Sequence, residues 1–447
     1  MSLELTQEIK DKIKEIAKAN PNLNSVGLGE KVSGGIATGE SAIVCSVTQK
    51  KPIEDLSPEE ILPSEITIGD QVIKIDVIEA SRAYQLGCTT CGGWSGASSG
   101  EFTNRQFTRP LRSGIVIASS NGGGSLGTLG TFVKDSATGC ILALTNNHVT
   151  IENPNFTSDR NLSNPADIIN DYDPVNNVYQ GTESSGSYFS PENIVGRSVR
   201  YAPTYYQSSG IVNKIDAALF SVQEADIDNK SWQPIGLDTI IPNDNPQFAT
   251  TLELDNLFNT NPKIWSSGRT SGARGEGVCG NLRVNSVGLT LPVSASVGGP
   301  TWVYEDVIAV IRPDDDTPTS QQAGCFNPGL QGDSGSAVYA EINGTVKLIG
   351  LLFAGNCTAA APCCGFSGPP YACSTVFFVC RIDHIANELG IERWDPKGDL
   401  LKFVNTNTME YITEPGGSNQ RTKSCNGKTY WQAGLTDTLN NPCIPTP

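Results

Sequence analysis

The sequence has only two histidines, His148 and His384, so few of its side chains can act as a general base near neutral pH. No apolar run approaches the ~20 residues that a membrane-spanning helix needs, which excludes a helical span. Basic residues are also scarce, because 31 Lys and Arg face 47 Asp and Glu and the formal charge is −16. This balance argues against nucleic acid or an anionic membrane as the main partner.

The amino-terminal residues lack the features of an export signal. A basic n-region, an apolar h-region and a small-residue cleavage site are all missing before a charged, helix-like segment begins. We therefore expect a cytoplasmic protein, in which most thiols stay reduced. The cysteine count, 13, is odd, so at least one cysteine is unpaired within the monomer.

The motifs for zinc and phosphate are incomplete. Cys88 and Cys91 form a CxxC, but the second cysteine cluster contains the adjacent pair Cys363-Cys364 and does not repeat the spacing of a zinc ribbon. Loop thiols or a local disulfide explain these residues as well. The glycines of 122–130 do not match GxGxxG and no Gly-Lys-Ser or Gly-Lys-Thr follows them, so tight β-turns account for them.

Glycine and proline are abundant, with 46 and 27 residues, and long periodic segments are few, which favours many short strands over helical bundles. A chain of 447 residues is expected to form two or three domains. We divide it into a small α/β module (1–85), a Gly/Ser/Cys-rich linker (86–107), a mainly β domain (108–393) and a C-terminal extension (394–447). The module begins with an amphipathic helix at 6–20 and is expected to serve packing, partner binding or homo-oligomer assembly.

Ser334 is a candidate nucleophile in the sequence Gly332-Asp333-Ser334-Gly335-Ser336, which an apolar run follows. A serine hydroxyl attacks a carbonyl only if a base takes its proton and donors stabilise the developing oxyanion. Small flanking residues leave the local backbone amides free for that second role. Taken alone, the motif also suits an ordinary surface turn.

His148 and Asp216 are candidate partners for this serine. His148 follows the apolar strand predicted at 140–144, where a rigid scaffold can present a general base. Asp216 interrupts a strand that enters the core at 213–220. A buried carboxylate that accepts the second ring N–H of a histidine fixes the histidine tautomer, which gives this burial a purpose. A core histidine without a catalytic role is the alternative for His148 alone.

At these residues the sequence resembles trypsin-like, chymotrypsin-fold serine peptidases. The resemblance covers residues 108–393 and rests jointly on Asn147-His148-Val149, Ile215-Asp216-Ala217-Ala218 and the Ser334 motif. More closely, the sequence is similar to the intracellular branch found in bacteria and in plant NARROW LEAF-type proteins, which carries a small α/β module before its peptidase domain. Further motifs match that branch: Gly127-Thr128-Leu129-Gly130, Ser267-Gly268-Arg269-Thr270-Ser271-Gly272 and Gly350-Leu351-Leu352-Phe353-Ala354-Gly355.

The resemblance implies a mainly β fold, with two consecutive six-stranded barrels and the site in the cleft between them. It implies His148 as general base and acid, Asp216 as the group that orients it, and Ser334 as the nucleophile of a serine endopeptidase acting on proteins or peptides. Backbone N–H groups of Gly332 and Ser334 would form the oxyanion hole. No metal or organic cofactor is required.

The same resemblance places a specificity pocket beside Ser334. Phe353, Ala354 and Gly355 would form one wall, and Pro328 would lie near the base. An apolar base would disfavour basic side chains, so we expect small or hydrophobic ones. In secreted relatives a freed amino terminus pairs with the Asp before the nucleophile, whereas here about 110 residues precede the barrel, so Asp333 needs another partner.

Two other classes of protein remain as alternatives. An α/β-hydrolase also uses Ser, Asp and His, but its elbow is G-x-S-x-G, while Ser336 stands at the last position here. Its chain order would also put His384 last, in a closing helix rather than on a loop. The second alternative is a latent or inactive peptidase-fold scaffold that acts through oligomerisation or a partner.

Overall fold

The computed structural model describes twelve stretches of the chain, the single residue 403 and the backbone of four short strands between 410 and 436. The twelve stretches are 3–33, 36–86, 103–119, 126–150, 177–181, 190–202, 204–241, 244–278, 280–294, 299–312, 329–356 and 376–399. Within this part of the chain, the helices are too short or too polar to cross a membrane.

The amino-terminal segment forms one helix on a small sheet. Helix α1 (Gln7–Ala19) starts where the Thr6 side chain accepts a hydrogen bond from the backbone N–H of Ile9. Its apolar residues recur at helical spacing and are buried against the sheet. The strands that follow are β1 (Ser25–Ser33), β2 (Ile36–Val47), β3 (Glu65–Ile68), β4 (Gln71–Glu79) and the short β5 (Ala83–Gln85).

The first barrel is closed by antiparallel pairing. Its strands are β6 (Val116–Ser119), β7 (Leu126–Thr128), β8 (Thr131–Asp135), β9 (Ile141–Thr145), β10 (Asn177–Tyr179), β11 (Ile194–Tyr201) and β12 (Ala218–Ser221). Only two residues separate β7 from β8, so these segments act as one bent strand between β6 and β9. Pairing then runs from β9 through β12, β11 and β10 back to β6, which gives six strands around the barrel.

The second barrel repeats this strand order. Its strands are β14 (Ile264–Gly268), β15 (Gly272–Gly275), β16 (Arg283–Ser294), β17 (Thr301–Ile311), β18 (Ala337–Ile342), β19 (Thr345–Gly355) and β20 (Val376–Arg381), and the short β13 (Gln247–Phe248) pairs with β19. The pairing order is β15-β14-β18-β19-β20-β17-β16, with the second strand divided between β15 and β16. The two curled sheets confirm the predicted mainly β, double six-stranded barrel fold.

Short helices and strands complete the described structure. The helices are α2 (Asn147–Thr150), α3 (Thr251–Asp255), α4 (Leu257–Thr260) and α5 (Ile382–Leu389), and the remaining strands are β21 (Ile391–Arg393), β22 (Glu410–Tyr411), β23 (Gln420–Cys425), β24 (Lys428–Ala433) and β25 (Leu435–Thr436). Strand β21 pairs with β8 and β24 pairs with β11, so residues after the second barrel return to the first.

The sheet of the amino-terminal segment is continuous with the second barrel. Strand β1 pairs antiparallel with β16, with Val26 opposite Thr290 and Leu28 opposite Val287. The strands approach closely at Gly27, where a Cβ atom would lie 2.6 Å from Leu289 Cγ. A larger residue would force these strands apart, so the sequence at β1 is fitted to β16.

A buried ion network joins α1 to the second barrel. The Arg381 guanidinium, which has no exposed side-chain surface, lies 2.6 Å from Asp255 Oδ1 and 2.8 Å from Asp306 Oδ1. Lys10 Nζ of α1 contacts the same two carboxylates at 2.9 and 3.2 Å. His384 Nε2 lies 2.8 Å from the second oxygen of Asp306. The second histidine of the sequence therefore belongs to this network, on a helix and far along the chain from the Ser334 motif.

The charges of this network determine the pKa of Asp306. Burial alone would raise that pKa, but the His384 hydrogen bond and the positive charges of Arg381 and Lys10 outweigh burial and lower it. The carboxylate therefore stays ionised, and it holds α1 through Lys10.

Candidate active site

His148 and Asp216 meet in a buried pair. His148 Nδ1 lies 2.6 Å from Asp216 Oδ2, and the backbone N–H of His148 donates to Asp216 Oδ1 over 3.2 Å. The two residues are 4% and 0% exposed. Two contacts to one carboxylate fix both the ring and the backbone of His148, which is what an orienting aspartate requires.

Two asparagines fix the backbone around this pair. Thr145 at the end of β9 pairs with Ala218 at the start of β12, which brings the residues beyond each strand together. The Asn146 side chain donates to the backbone carbonyl of Asp216 over 2.5 Å, and the Asn147 side chain donates to that of Ala202 over 3.0 Å. The polar run before His148 therefore anchors α2 to the neighbouring strands.

Cys380 lies next to Asp216 but is not suited to be a nucleophile. Its sulfur accepts the backbone N–H of Asp216 over 3.3 Å. Burial, and then the nearby Asp216 charge, raise the pKa of the Cys380 thiol well above its usual value. The thiol therefore stays neutral, and a neutral thiol is a poor nucleophile.

Ser334 lies in a tight turn just before β18 and is fully buried. Gly332 and Gly335 have φ values of +94° and +96°, a region that favours glycine. Space also requires glycine at 335, because a Cβ atom would lie 2.2 Å from the Thr128 carbonyl oxygen and 2.4 Å from Thr145 Oγ1. The two glycines of the motif are thus structural requirements of the turn that carries Ser334.

Thr128 of the first barrel holds this turn. Its backbone N–H donates to the Ser334 carbonyl and its hydroxyl donates to the Gly332 carbonyl, both over 2.8 Å. Beside it, a Cβ atom on Gly127 would lie 2.5 Å from the Val149 side chain and 3.1 Å from the Ser334 carbonyl oxygen. The serine turn and the helix that carries His148 therefore both pack against β7. The structure thus brings His148 and Asp216 into contact, and the Ser334 turn lies against the same strand as the helix that carries His148.

Backbone amides take the role of the partner that Asp333 needs. Asp333 Oδ1 accepts the N–H groups of Thr270 and Ser271 over 2.8 and 2.9 Å, and Oδ2 accepts that of Leu330 over 2.8 Å. The first two donors lie in the turn between β14 and β15. These hydrogen bonds stabilise the carboxylate, so a freed amino terminus is not needed as its partner.

Arg274 of β15 adds a positive charge near Asp333. Burial lowers the pKa of Arg274 to about 10, and the charge of Asp333 acts in the opposite direction. Arg274 is thus still a cation at neutral pH.

The predicted pocket wall is part of β19, and the segment after β4 lies against it. Phe353, Ala354 and Gly355 are the last residues of β19. The backbone N–H of Leu86 donates to the Phe353 carbonyl over 3.3 Å, and the Leu86 carbonyl accepts the N–H of Gly332 over 2.5 Å. Pro328, expected near the pocket base, lies outside the described residues.

Sequence reasoning missed three parts of this site. Thr128 was recognised only as part of a motif, and its hydrogen bonds to the serine turn carry no sequence signal. The amides that bind Asp333 are backbone groups, which any residue could supply. Leu86 is a single apolar residue before a polar stretch.

Among the described residues, no cluster of three or more His, Cys, Asp and Glu could hold a metal ion.

Together, the two barrels have the chymotrypsin-like double β-barrel fold. Comparison with known proteins gives no match to a family model or to a curated protein. Similar solved structures include a glutamic acid-specific serine protease described as using a histidine triad in substrate binding, with 14% identity, a TM-score of 0.33, and coverage of 64% of this chain and 100% of that chain.

Two bacterial proteins give similar values. Thermobifida fusca protease A is 13% identical with a TM-score of 0.31, and the match covers 63% of this chain and 97% of that one. Cellulomonas bogoriensis chymotrypsin is 11% identical with a TM-score of 0.31, and the match covers 64% and 98%. Likenesses at these levels say nothing about the activity of this chain, so the function must be argued from its own residues.

Proposed function

We propose that this chain is a serine endopeptidase that cleaves proteins or peptides through an acyl-enzyme on Ser334. The observation that carries the proposal is the buried His148–Asp216 pair, with its 2.6 Å contact, packed against the strand that holds the Ser334 turn. A histidine fixed by a carboxylate beside a buried serine is the arrangement that activates a hydroxyl at neutral pH.

Each side chain has a defined role in the proposed reaction. His148 takes the Ser334 proton as Oγ attacks the carbonyl carbon, and Asp216 stabilises the imidazolium that forms. The backbone N–H groups of Gly332 and Ser334 stabilise the oxyanion, and removal of one such donor costs about 10²–10³ in rate in other enzymes. His148 then protonates the leaving amine, and water releases the acyl group by the same steps. No step requires a metal or an organic cofactor.

The expected preference for small or hydrophobic substrate side chains is supported by the neighbours of Gly329, the residue that follows Pro328 in the chain. A Cβ atom on Gly329 would lie 3.2 Å from Phe377 Cβ and 3.3 Å from Leu352 Cδ1. These apolar neighbours offer no counter-charge to a basic side chain, which would lose its hydration on entry.

A fluorophosphonate probe tests the reaction directly. We expect the probe to label the wild type at Ser334, and both Ser334→Ala and His148→Ala to abolish labelling while the circular dichroism spectrum is retained. His384→Ala is the matched control, since it removes the other histidine of the chain. A folded wild type that resists labelling, with candidate partners present, would instead favour the peptidase-fold scaffold.

Other expectations from the sequence stay predictions. Membership of the intracellular branch and assembly through the amino-terminal segment rest on the sequence alone. Cys45 and Cys380 are free and buried, whereas Cys140 is disulfide-bonded. A disulfide is commoner in oxidising compartments, so it speaks against the expected cytoplasmic location, which cell fractionation would test.

A further inference from the structure

The chain places four of its own residues along the cleft wall in an extended conformation. Strand β5 pairs antiparallel with β19, with Gln85 opposite Ala354 and Tyr84 opposite Gly355. The pairing continues one residue further, because the N–H of Leu86 donates to the Phe353 carbonyl over 3.3 Å. We call Ala83-Tyr84-Gln85-Leu86 the cleft segment.

The cleft segment ends with its last carbonyl group at the proposed oxyanion hole. The Leu86 carbonyl oxygen accepts the backbone N–H of Gly332 over 2.5 Å. Ser334 is the second residue after Gly332, and its Oγ lies 3.4 Å from the Phe353 carbonyl that also binds the Leu86 N–H. One peptide unit on each side of the Leu86 Cα is thus bound next to the serine, as in an acyl-donor substrate.

The Leu86 side chain lies among the apolar residues of the proposed pocket. It is fully buried, and its Cδ1 would lie 3.6 Å from a Cβ atom on Gly329, beside Leu352 and Phe377. Ordinary pairing with the two neighbouring strands, β16 and β19, would explain the position of Ala83, Tyr84 and Gln85. It would not require a carbonyl at Gly332 or a leucine in the pocket of the neighbouring turn.

We propose that the cleft segment is an intramolecular substrate and that Ser334 cuts the chain after Leu86, an inference that rests on the proposed endopeptidase function. Ser334 Oγ bonds to the Leu86 carbonyl carbon and gives its proton to His148. The bond from that carbon to the Gly87 nitrogen then breaks, and the nitrogen takes the proton. Water hydrolyses the ester, which leaves a Leu86 carboxylate and restores the serine hydroxyl.

Two properties follow from this geometry. Cleavage is intramolecular, because the segment already occupies the cleft of its own chain. Preferred substrates have an apolar residue, like Leu86, just before the bond that is cut. The cleft segment competes with these substrates until it leaves the cleft. The proposal thus assigns both a modification site and a substrate class to the cleft.

Intact mass and amino-terminal sequencing of the freshly folded protein test the cleavage. We expect the wild type to yield a new amino terminus at Gly87, at a rate that does not depend on protein concentration. Ser334→Ala stays whole, even when it is mixed with the wild type. Leu86→Asp puts an unpaired charge into an apolar pocket and slows cleavage by about 100-fold or more. The matched control is Leu252→Asp, at a leucine that is 71% exposed, and this variant is cut like the wild type.

A peptide assay separates failure of this proposal from failure of the endopeptidase function. The probe is the p-nitroanilide of the peptide Ala-Tyr-Gln-Leu, with Ala-Tyr-Gln-Asp as its control. If folded Leu86→Asp hydrolyses the Ala-Tyr-Gln-Leu p-nitroanilide while the wild-type chain stays whole, self-cleavage is overturned and the endopeptidase function stands. If neither hydrolysis nor cleavage occurs, both proposals fail. Should Leu86→Asp not fold, Leu86→Asn replaces it, since it puts an uncharged polar group into the apolar pocket and the same comparison applies.

Discussion

Replacing Asp333 by asparagine tests whether backbone amides hold the serine turn in its active form. The carboxylate accepts two N–H groups on Oδ1 and one on Oδ2. Asparagine has nearly the same shape, and its oxygen can keep the bonds from Thr270 and Ser271. Its NH₂ group then points at the Leu330 N–H, so two donors face each other in a buried place.

The expected loss of stability follows from the hydrogen bonds that Asp333→Asn removes. One hydrogen bond to a charged acceptor is lost, at about 1.5–3 kcal/mol, and a partly buried N–H is left without this acceptor, at about 1–3 kcal/mol. We therefore expect a cost of about 3–5 kcal/mol, borne by the turn that carries the Gly332 and Ser334 amides. At about 1.4 kcal/mol per factor of ten, the active form of the turn should fall by about 10²-fold or more.

Fluorophosphonate labelling rates and thermal unfolding midpoints measure the two sides of this prediction. We expect Asp333→Asn to label at least about 10²-fold more slowly and to unfold at a lower temperature. Asp238→Asn is the control, because that carboxylate is 52% exposed in its pair with Arg112. An Asp333→Asn protein that labels within twofold of the wild type would refute the reasoning.

Two further predictions concern the serine turn and the ion network. Gly335→Ala should lose labelling and several kcal/mol of stability, because its Cβ would clash with Thr128. Gly344 has φ +73° but open space around it, so Gly344→Ala should cost only about 1–2 kcal/mol. Unfolding curves of the two variants measure this difference. The lowered pKa of Asp306 means that its stabilising effect is present above the usual Asp value of about 4 and is lost as pH falls below it. Hydrogen exchange should therefore show α1 losing protection on acidification, and Asp306→Asn should remove this pH dependence.

The sequence predicted those parts of the fold and site that leave a pattern in the side chains. Apolar spacing predicted a helix at 6–20, and the structure has α1 at Gln7–Ala19. The scarce histidine and the aspartate within an apolar stretch were enough to predict the His148–Asp216 contact. The strand predicted at 213–220 was less accurate, since β12 begins only at Ala218 and Asp216 lies before it.

What could not be predicted depends on backbone groups and distant contacts. The amides that bind Asp333 come from Thr270, Ser271 and Leu330, and no side-chain pattern marks a backbone donor. The contact of Leu86 with Gly332 joins residues far apart in the chain, and one leucine before a polar stretch has no periodicity. The predicted linker was therefore taken to begin at a residue that the structure buries.

The pairing of β1 with β16 means that cutting the chain after Leu86 and deleting the part before it have different results. After a cut, residues 1–86 remain bound by a shared sheet and by the buried face of α1, as a subunit whose release follows mass action. A truncated protein beginning at residue 103 would instead present a bare strand edge to other molecules, which invites aggregation. The amino-terminal segment is thus an integral part of the folded protein.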